Sequence, residues 1–177
     1  GFVVFRTNAP YGTIKNSYLE NGGTGASIIV FGYGAPYGTI DNNVINVTGS
    51  SGNIMGANAY VGTGVTPGNM TVTNNKVYNE QASTSTSYAV TLMGSYNVVE
   101  NNTIKHKGSG IISANVQWAS GPKDPSENNT YRNNVLIGCG ISATKGSIVE
   151  NNTMTAALSL GGADMVVGDR LSSTYFV

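Results

Sequence analysis

The chain is 177 residues long, is only 10% charged, holds 24 glycines and balances nine Lys plus Arg against nine Asp plus Glu. A net charge of zero removes the electrostatic basis for binding nucleic acid or an anionic membrane surface, and no run approaches the roughly 18 apolar residues of a membrane span. The lone Cys139 excludes an internal disulfide, no C-x-x-C or Cys/His cluster marks a metal site, and no motif calls for a cofactor.

Read from the N-terminus, Val3-Val4-Phe5 followed by Ala9-Pro10-Tyr11-Gly12-Thr13-Ile14-Lys15-Asn16 recurs as Ile29-Val30-Phe31 followed by Ala35-Pro36-Tyr37-Gly38-Thr39-Ile40-Asp41-Asn42. Further along, Val99-Glu100-Asn101-Asn102-Thr103 recurs as Val149-Glu150-Asn151-Asn152-Thr153. Both echoes belong to one series anchored on Asn16, Asn42, Asn74, Asn101, Asn133 and Asn151. Two residues before each anchor stands Ile14, Ile40, Val72, Val99, Tyr131 or Val149; three residues after stands Leu19, Ile45, Val77, Ile104, Leu136 or Met154. Internal repetition at this period signals a solenoid.

The spacing carries a geometric expectation. An apolar residue two positions before an asparagine shares its side of a strand. An apolar residue three positions after it faces inward again only if the chain bends at the asparagine. The predicted unit is strand, corner, strand, with the six anchor asparagines stacked as a buried amide ladder. A variable loop and a third apolar stretch follow, as in Ile28-Ile29-Val30-Phe31, Ile54-Met55, Ala89-Val90-Thr91-Leu92-Met93, Ile111-Ile112, Ile141-Ser142-Ala143 and Leu158-Ser159-Leu160. No stretch keeps a helical apolar stripe over several turns. The expected fold is all-β: a right-handed parallel β-helix of about six coils with three short strands each, over residues 1–160. Residues 161–177 break the asparagine pattern and are expected to form closing strands or to begin an oligomerisation segment.

This repeat, cleanest in Val99-Glu100-Asn101-Asn102-Thr103-Ile104, resembles the pectate-lyase-like superfamily of right-handed parallel β-helices. That superfamily takes in polysaccharide lyases, hydrolases and epimerases, phage tailspikes and surface adhesins, so the resemblance implies a fold more sharply than an activity. It also implies an extracellular, cell-surface or virion-surface protein that meets polysaccharide or cell-surface glycan. Members usually cap the first coil with an amphipathic helix, and complete enzymes are longer. Here the chain opens directly into Phe2-Val3-Val4-Phe5. The expectation is a fragment of a larger protein, or a subunit whose open ends stack as a homotrimer or end to end.

The residues just before the anchors, Lys15, Asp41, Thr73, Glu100, Arg132 and Glu150, are expected to face outward and pair across coils. That makes the charged ones a solvated face rather than catalytic groups. The acids left are Glu20, Glu80, Asp124, Glu127, Asp164 and Asp169. Glycoside hydrolysis uses two carboxylates about 5–10 Å apart, and Glu80 with Asp124 or Glu127 of the loop at 119–128 are the candidates. His106, between Lys105 and Lys107, is the candidate acid or base, in a run that otherwise suits a solvated strand end or an anionic glycan. A calcium-dependent lyase needs clustered acids, and no two acidic residues lie within two positions of each other.

For sugar contact the candidates are aromatic: Trp118 at the start of the longest loop, and Tyr33, Tyr37 and Tyr60. The sequons at Asn46, Asn69, Asn101, Asn128 and Asn151 include two anchor asparagines, expected to be buried and unavailable for modification. Carbohydrate recognition is the leading expectation. A polysaccharide lyase, hydrolase or epimerase, and a structural subunit stacking into a fibre, are its rivals.

Overall fold

Two left-handed backbone turns, five residues apart, recur in six successive coils among the described residues. They fall at Tyr11 and Asn16, Tyr37 and Asn42, Asn69 and Asn74, Tyr96 and Asn101, Asn128 and Asn133, and Gly146 and Asn151, with φ between 52° and 68°. The computed structural model describes residues 3–5, 9–22, 25–31, 35–49, 51–57, 68–80, 87–92, 94–113, 127–155, 158–161 and 170–171.

Between the two turns of each coil runs a three-residue strand: Thr13–Lys15, Thr39–Asp41, Thr71–Thr73, Val98–Glu100, Thr130–Arg132 and Ile148–Glu150. These pair in parallel, residue against residue, as a narrow six-stranded sheet. After the second turn the chain enters a twelve-stranded parallel sheet through Tyr18–Asn21, Val44–Val47, Lys76–Asn79, Thr103–Ser113, Val135–Thr144 and Thr153–Met154. Gly25–Phe31, Ser51–Ala57, Ser87–Leu92 and Leu158–Gly161 belong to the same sheet. Among the described residues there is no helix.

Separate second and third strands occur in the early coils. In the fourth and fifth they run together as Thr103–Ser113 and Val135–Thr144, with a register shift between Lys105 and Gly110 taking up the bend. Arg170–Leu171 pairs with Thr153 and Met154, so part of the tail adds a strand to the solenoid. The rest of residues 162–177 lies outside the described residues.

The apolar columns read from the repeat form the core. Ile14, Ile40, Val72, Val99, Tyr131 and Val149 are buried, as are Ile45, Val77, Ile104, Leu136 and Met154, with Leu19 packed against them. Each fully buried aliphatic side chain contributes about 1.5–3 kcal/mol, and stacking lets one coil complete the burial of the next.

The anchor asparagines are not the ladder. Asn16, Asn42, Asn74, Asn101, Asn133 and Asn151 are exposed, and the buried amides belong to the next residue: Asn43, Asn75, Asn102, Asn134 and Asn152. A left-handed residue takes no place in the strand alternation, so the count of inward positions restarts one residue later. Both apolar columns still point inward, which is why the spacing reads correctly while the asparagine is displaced by one.

Asparagine is the residue that repairs this corner. Each ladder Oδ1 accepts the main-chain N–H of its counterpart in the preceding coil: Ser17 to Asn43, Asn43 to Asn75, Asn75 to Asn102, Asn102 to Asn134 and Asn134 to Asn152, at 2.9–3.0 Å. Each Nδ2 donates back to a preceding-coil carbonyl, on Ile14, Ile40, Val72, Val99 and Tyr131 respectively, at 2.8–3.1 Å. The turn interrupts the main-chain ladder, and one carboxamide supplies the acceptor that the buried N–H after the turn then lacks, while its Nδ2 adds a second donor to a buried carbonyl of the strand before it. The first corner uses the same device where Met70 and Asn97 donate their N–H groups to Asn97 and Asn129, each at 2.9 Å.

Candidate functional site

Strand alternation disposes of one catalytic candidate. Lys105 and Lys107 face outward, so His106 faces inward, is only 3% exposed, and lies with Nε2 2.7 Å from Asn79 Nδ2. It is an interior residue and does not reach a surface ligand. Glu80 is exposed after Lys76–Asn79, and its N–H donates to Val47 of the second coil. Glu127 lies at the other corner, with its carbonyl taking the N–H of Tyr96 and its carboxylate 3.9 Å from Lys145. Glu80 and Glu127 are thus not brought together; Asp124 lies outside the described residues.

The residues before the anchors form a self-compensating charged column. Arg132 stands 3.0 Å from Glu100 and 4.0 Å from Glu150, and Glu100 holds its guanidinium firmly charged. Asp41 accepts from Asn74 Nδ2 at 2.9 Å and Thr73 Oγ1 at 2.7 Å. Those two hydrogen bonds, with a smaller contribution from the charge of Lys15, hold its carboxyl below the usual carboxylate range.

The first corner of the first, second and fourth coils carries the aromatic surface. Of the sugar-contact candidates, Trp118, Tyr33 and Tyr60 lie outside the described residues, and Tyr37 is 46% exposed. Its ring stacks on Tyr11 of the preceding coil, with centroids 5.0 Å apart and planes inclined by 14°. Tyr11 is 69% exposed, and Tyr96, at the same corner in the fourth coil, is 62% exposed. The five-residue interval back from each anchor, to Tyr11, Tyr37 or Tyr96, is the signal in the sequence that would have found this column.

Tyrosine is a poor occupant of such a turn. A left-handed backbone costs an ordinary L-residue about 1–2 kcal/mol, and Asn or Gly, as at Asn69, Asn128 and Gly146, relieves it. A stacked aromatic pair returns only about 0.5–1.5 kcal/mol beyond its burial. Two left-handed tyrosines therefore cost the fold more than their stack returns.

Modification sites also read differently in three dimensions. Asn69, Asn101, Asn128 and Asn151 all head sequons and all stand exposed at left-handed corners, so the expected burial of Asn101 and Asn151 does not hold. Among the described residues no group of three or more His, Cys, Asp or Glu is placed to hold a metal ion.

Stacked parallel coils, two corners per coil and an internal amide ladder define a parallel β-solenoid. The family described as right-handed β-helix region matches residues 1–166, and the chain belongs to it, with a pectate-lyase-like superfamily fold. Neither the curated proteins nor the solved structures give a significant match to this chain.

Proposed function

We propose that this protein is a glycan-recognition module of an extracellular, cell-surface or virion-surface assembly, binding an extended polysaccharide on the outside of its solenoid. One observation carries the reading: Tyr11 and Tyr37 are exposed, stacked and held in left-handed turns that favour other residues. Backbone strain kept at a solvent-exposed aromatic points to function rather than stability. The flat faces of tyrosine match the apolar faces of sugar rings, and their hydroxyls reach the sugar edge. Stacked coils hold these rings in place before any ligand arrives, which lowers the entropic cost of binding.

A glycan-array screen tests the reading, comparing the unaltered protein with Tyr37→Asn and Trp118→Ala. Asparagine already occupies the same corner at Asn69 and Asn128, so Tyr37→Asn removes the ring while keeping the turn. Retention of a polysaccharide that weakens in Tyr37→Asn is expected. Absence of any retained glycan, with the fold intact by circular dichroism, refutes the proposal.

A further inference from the structure

One face of Tyr37 lies on Tyr11, so its other face is turned toward the third coil, where the corner residue is the exposed Asn69. Beyond Asn69, the fourth coil places Tyr96 at the same corner. Two coil steps separate Tyr37 from Tyr96, about 10 Å at ~4.8 Å per strand. Stacked rings sit about 4.5–7 Å apart between centroids. The interval therefore admits one ring in contact with both tyrosines, above the Asn69 carboxamide.

The third coil continues this slot as an uncharged track. Its narrow strand presents Thr71 and Thr73 outward, the only one of the six with a hydroxyl at both outward positions. The neighbours of Thr73 in that column are Asp41 on one side and Glu100 on the other. Thr73 Oγ1 donates to Asp41 at 2.7 Å, leaving its lone pairs toward solvent as acceptors. Of the cations of this face, Arg132 lies between Glu100 and Glu150, and Lys15 stands exposed two coils away from Thr73, across from Asp41 in register. An anionic chain laid on the track meets the carboxylates of Asp41 and Glu100 on its two flanks. Lys76, Lys105 and Lys107 stand exposed on the wide sheet, on the other side of the second corner, where Lys105 pairs across strands with Tyr78.

We infer that the slot between Tyr37 and Tyr96 takes a single pyranose ring of a neutral glycan, and that the glycan chain crosses the third coil parallel to its strand. Asn69 supplies a donor and an acceptor beneath the ring, and Thr71 and Thr73 line the path onward. This inference rests on the glycan-recognition reading and assigns it a subsite and a substrate class.

Affinity electrophoresis and titration calorimetry with soluble neutral polysaccharides (a β-glucan, a mannan, a xylan and a galactan) and with polygalacturonate and alginate test it. The variants are Tyr37→Asn, Tyr96→Asn and the double substitution Lys76→Gln/Lys105→Gln, each checked for a melting transition no lower than that of the unaltered protein. Binding to one neutral polymer is expected, insensitive to salt and weakened about tenfold by either tyrosine substitution. Loss should be equal for Tyr37→Asn and Tyr96→Asn, because both walls touch the same ring. Salt-sensitive binding of a polyuronate that falls only with the lysine substitutions overturns the subsite while leaving glycan recognition standing. Neutral-glycan binding indifferent to Tyr96 overturns it as well, and failure to bind any polymer removes both readings.

Discussion

Asn102 Oδ1 accepts the main-chain N–H of Asn75 at 2.9 Å and the side-chain N–H of the same residue at 3.0 Å. With Asn102 Nδ2 donating to Val72 O at 2.8 Å and to Asn134 Oδ1 at 3.1 Å, one carboxamide ties three coils together.

Replacing Asn102 by alanine leaves the buried main-chain N–H of Asn75 without its partner and removes a second donor from the carbonyl of Val72, which keeps its place in the strand ladder. An unsatisfied buried N–H costs about 1–3 kcal/mol and a lost hydrogen bond about 1 kcal/mol, so Asn102→Ala is expected to lose about 2–4 kcal/mol in urea denaturation. The preceding residue behaves differently. Asn101 is exposed in a left-handed turn, and Asn101→Gly is expected within about 0.5 kcal/mol of the unaltered protein. Equal losses at the two positions would contradict the ladder.

Tyr131 occupies an apolar column where the other coils have Ile or Val, and its hydroxyl is buried with no hydrogen-bond partner among the described residues. Burial alone pushes the phenol pKa upward, out of its normal range. Tyr131→Phe removes the orphaned oxygen at nearly constant volume and is expected to stabilise by about 1 kcal/mol. A lower melting temperature for that variant would show that the hydroxyl is bonded.

Gly146 takes the corner position at φ 68°, and a Cβ there would run into the Asn128 carboxamide. Gly146→Ala is expected to destabilise by about 2 kcal/mol, from the left-handed backbone together with displacement of Asn128. Adding Asn128→Gly should return the part due to the clash. A double-mutant cycle with no coupling would place the whole effect in the backbone.

Acid sensitivity follows from Asp41. Its folded-state pKa is lowered by Asn74 and Thr73, so it contributes stability above the unfolded carboxylate value, and that contribution is lost as pH falls through the folded value. Stability should therefore decline below about pH 4, and Asp41→Asn should flatten that part of the profile. Identical acid profiles for the two proteins would remove Asp41 from the account.

Much of this solenoid was legible before any coordinates. Ile40 and Ile45 fall inward as their spacing requires, because a bend of one residue between two strands leaves only one way for both to reach the core. Asn42 and Asn43 were not separable in the same way. Both are asparagine, and only the left-handed backbone of the first tells which points to solvent. The site was less legible still. Tyr37 stood out as aromatic, and the repeat sets Tyr11 in the same place and Tyr96 at the same interval before its anchor, but their exposure and stacking show only once the coils are stacked.

The sequence by itself determined the repeat, the parallel solenoid and the apolar interior, since hydrophobic periodicity is a local property that one chain segment displays without its neighbours. Tertiary structure alone decided which amide is buried, that His106 is interior, and that Tyr11 and Tyr37 are exposed with their rings stacked. Those facts depend on which residues of different coils come to lie about 5 Å apart, and loops of unequal length conceal that distance from any reading along the chain.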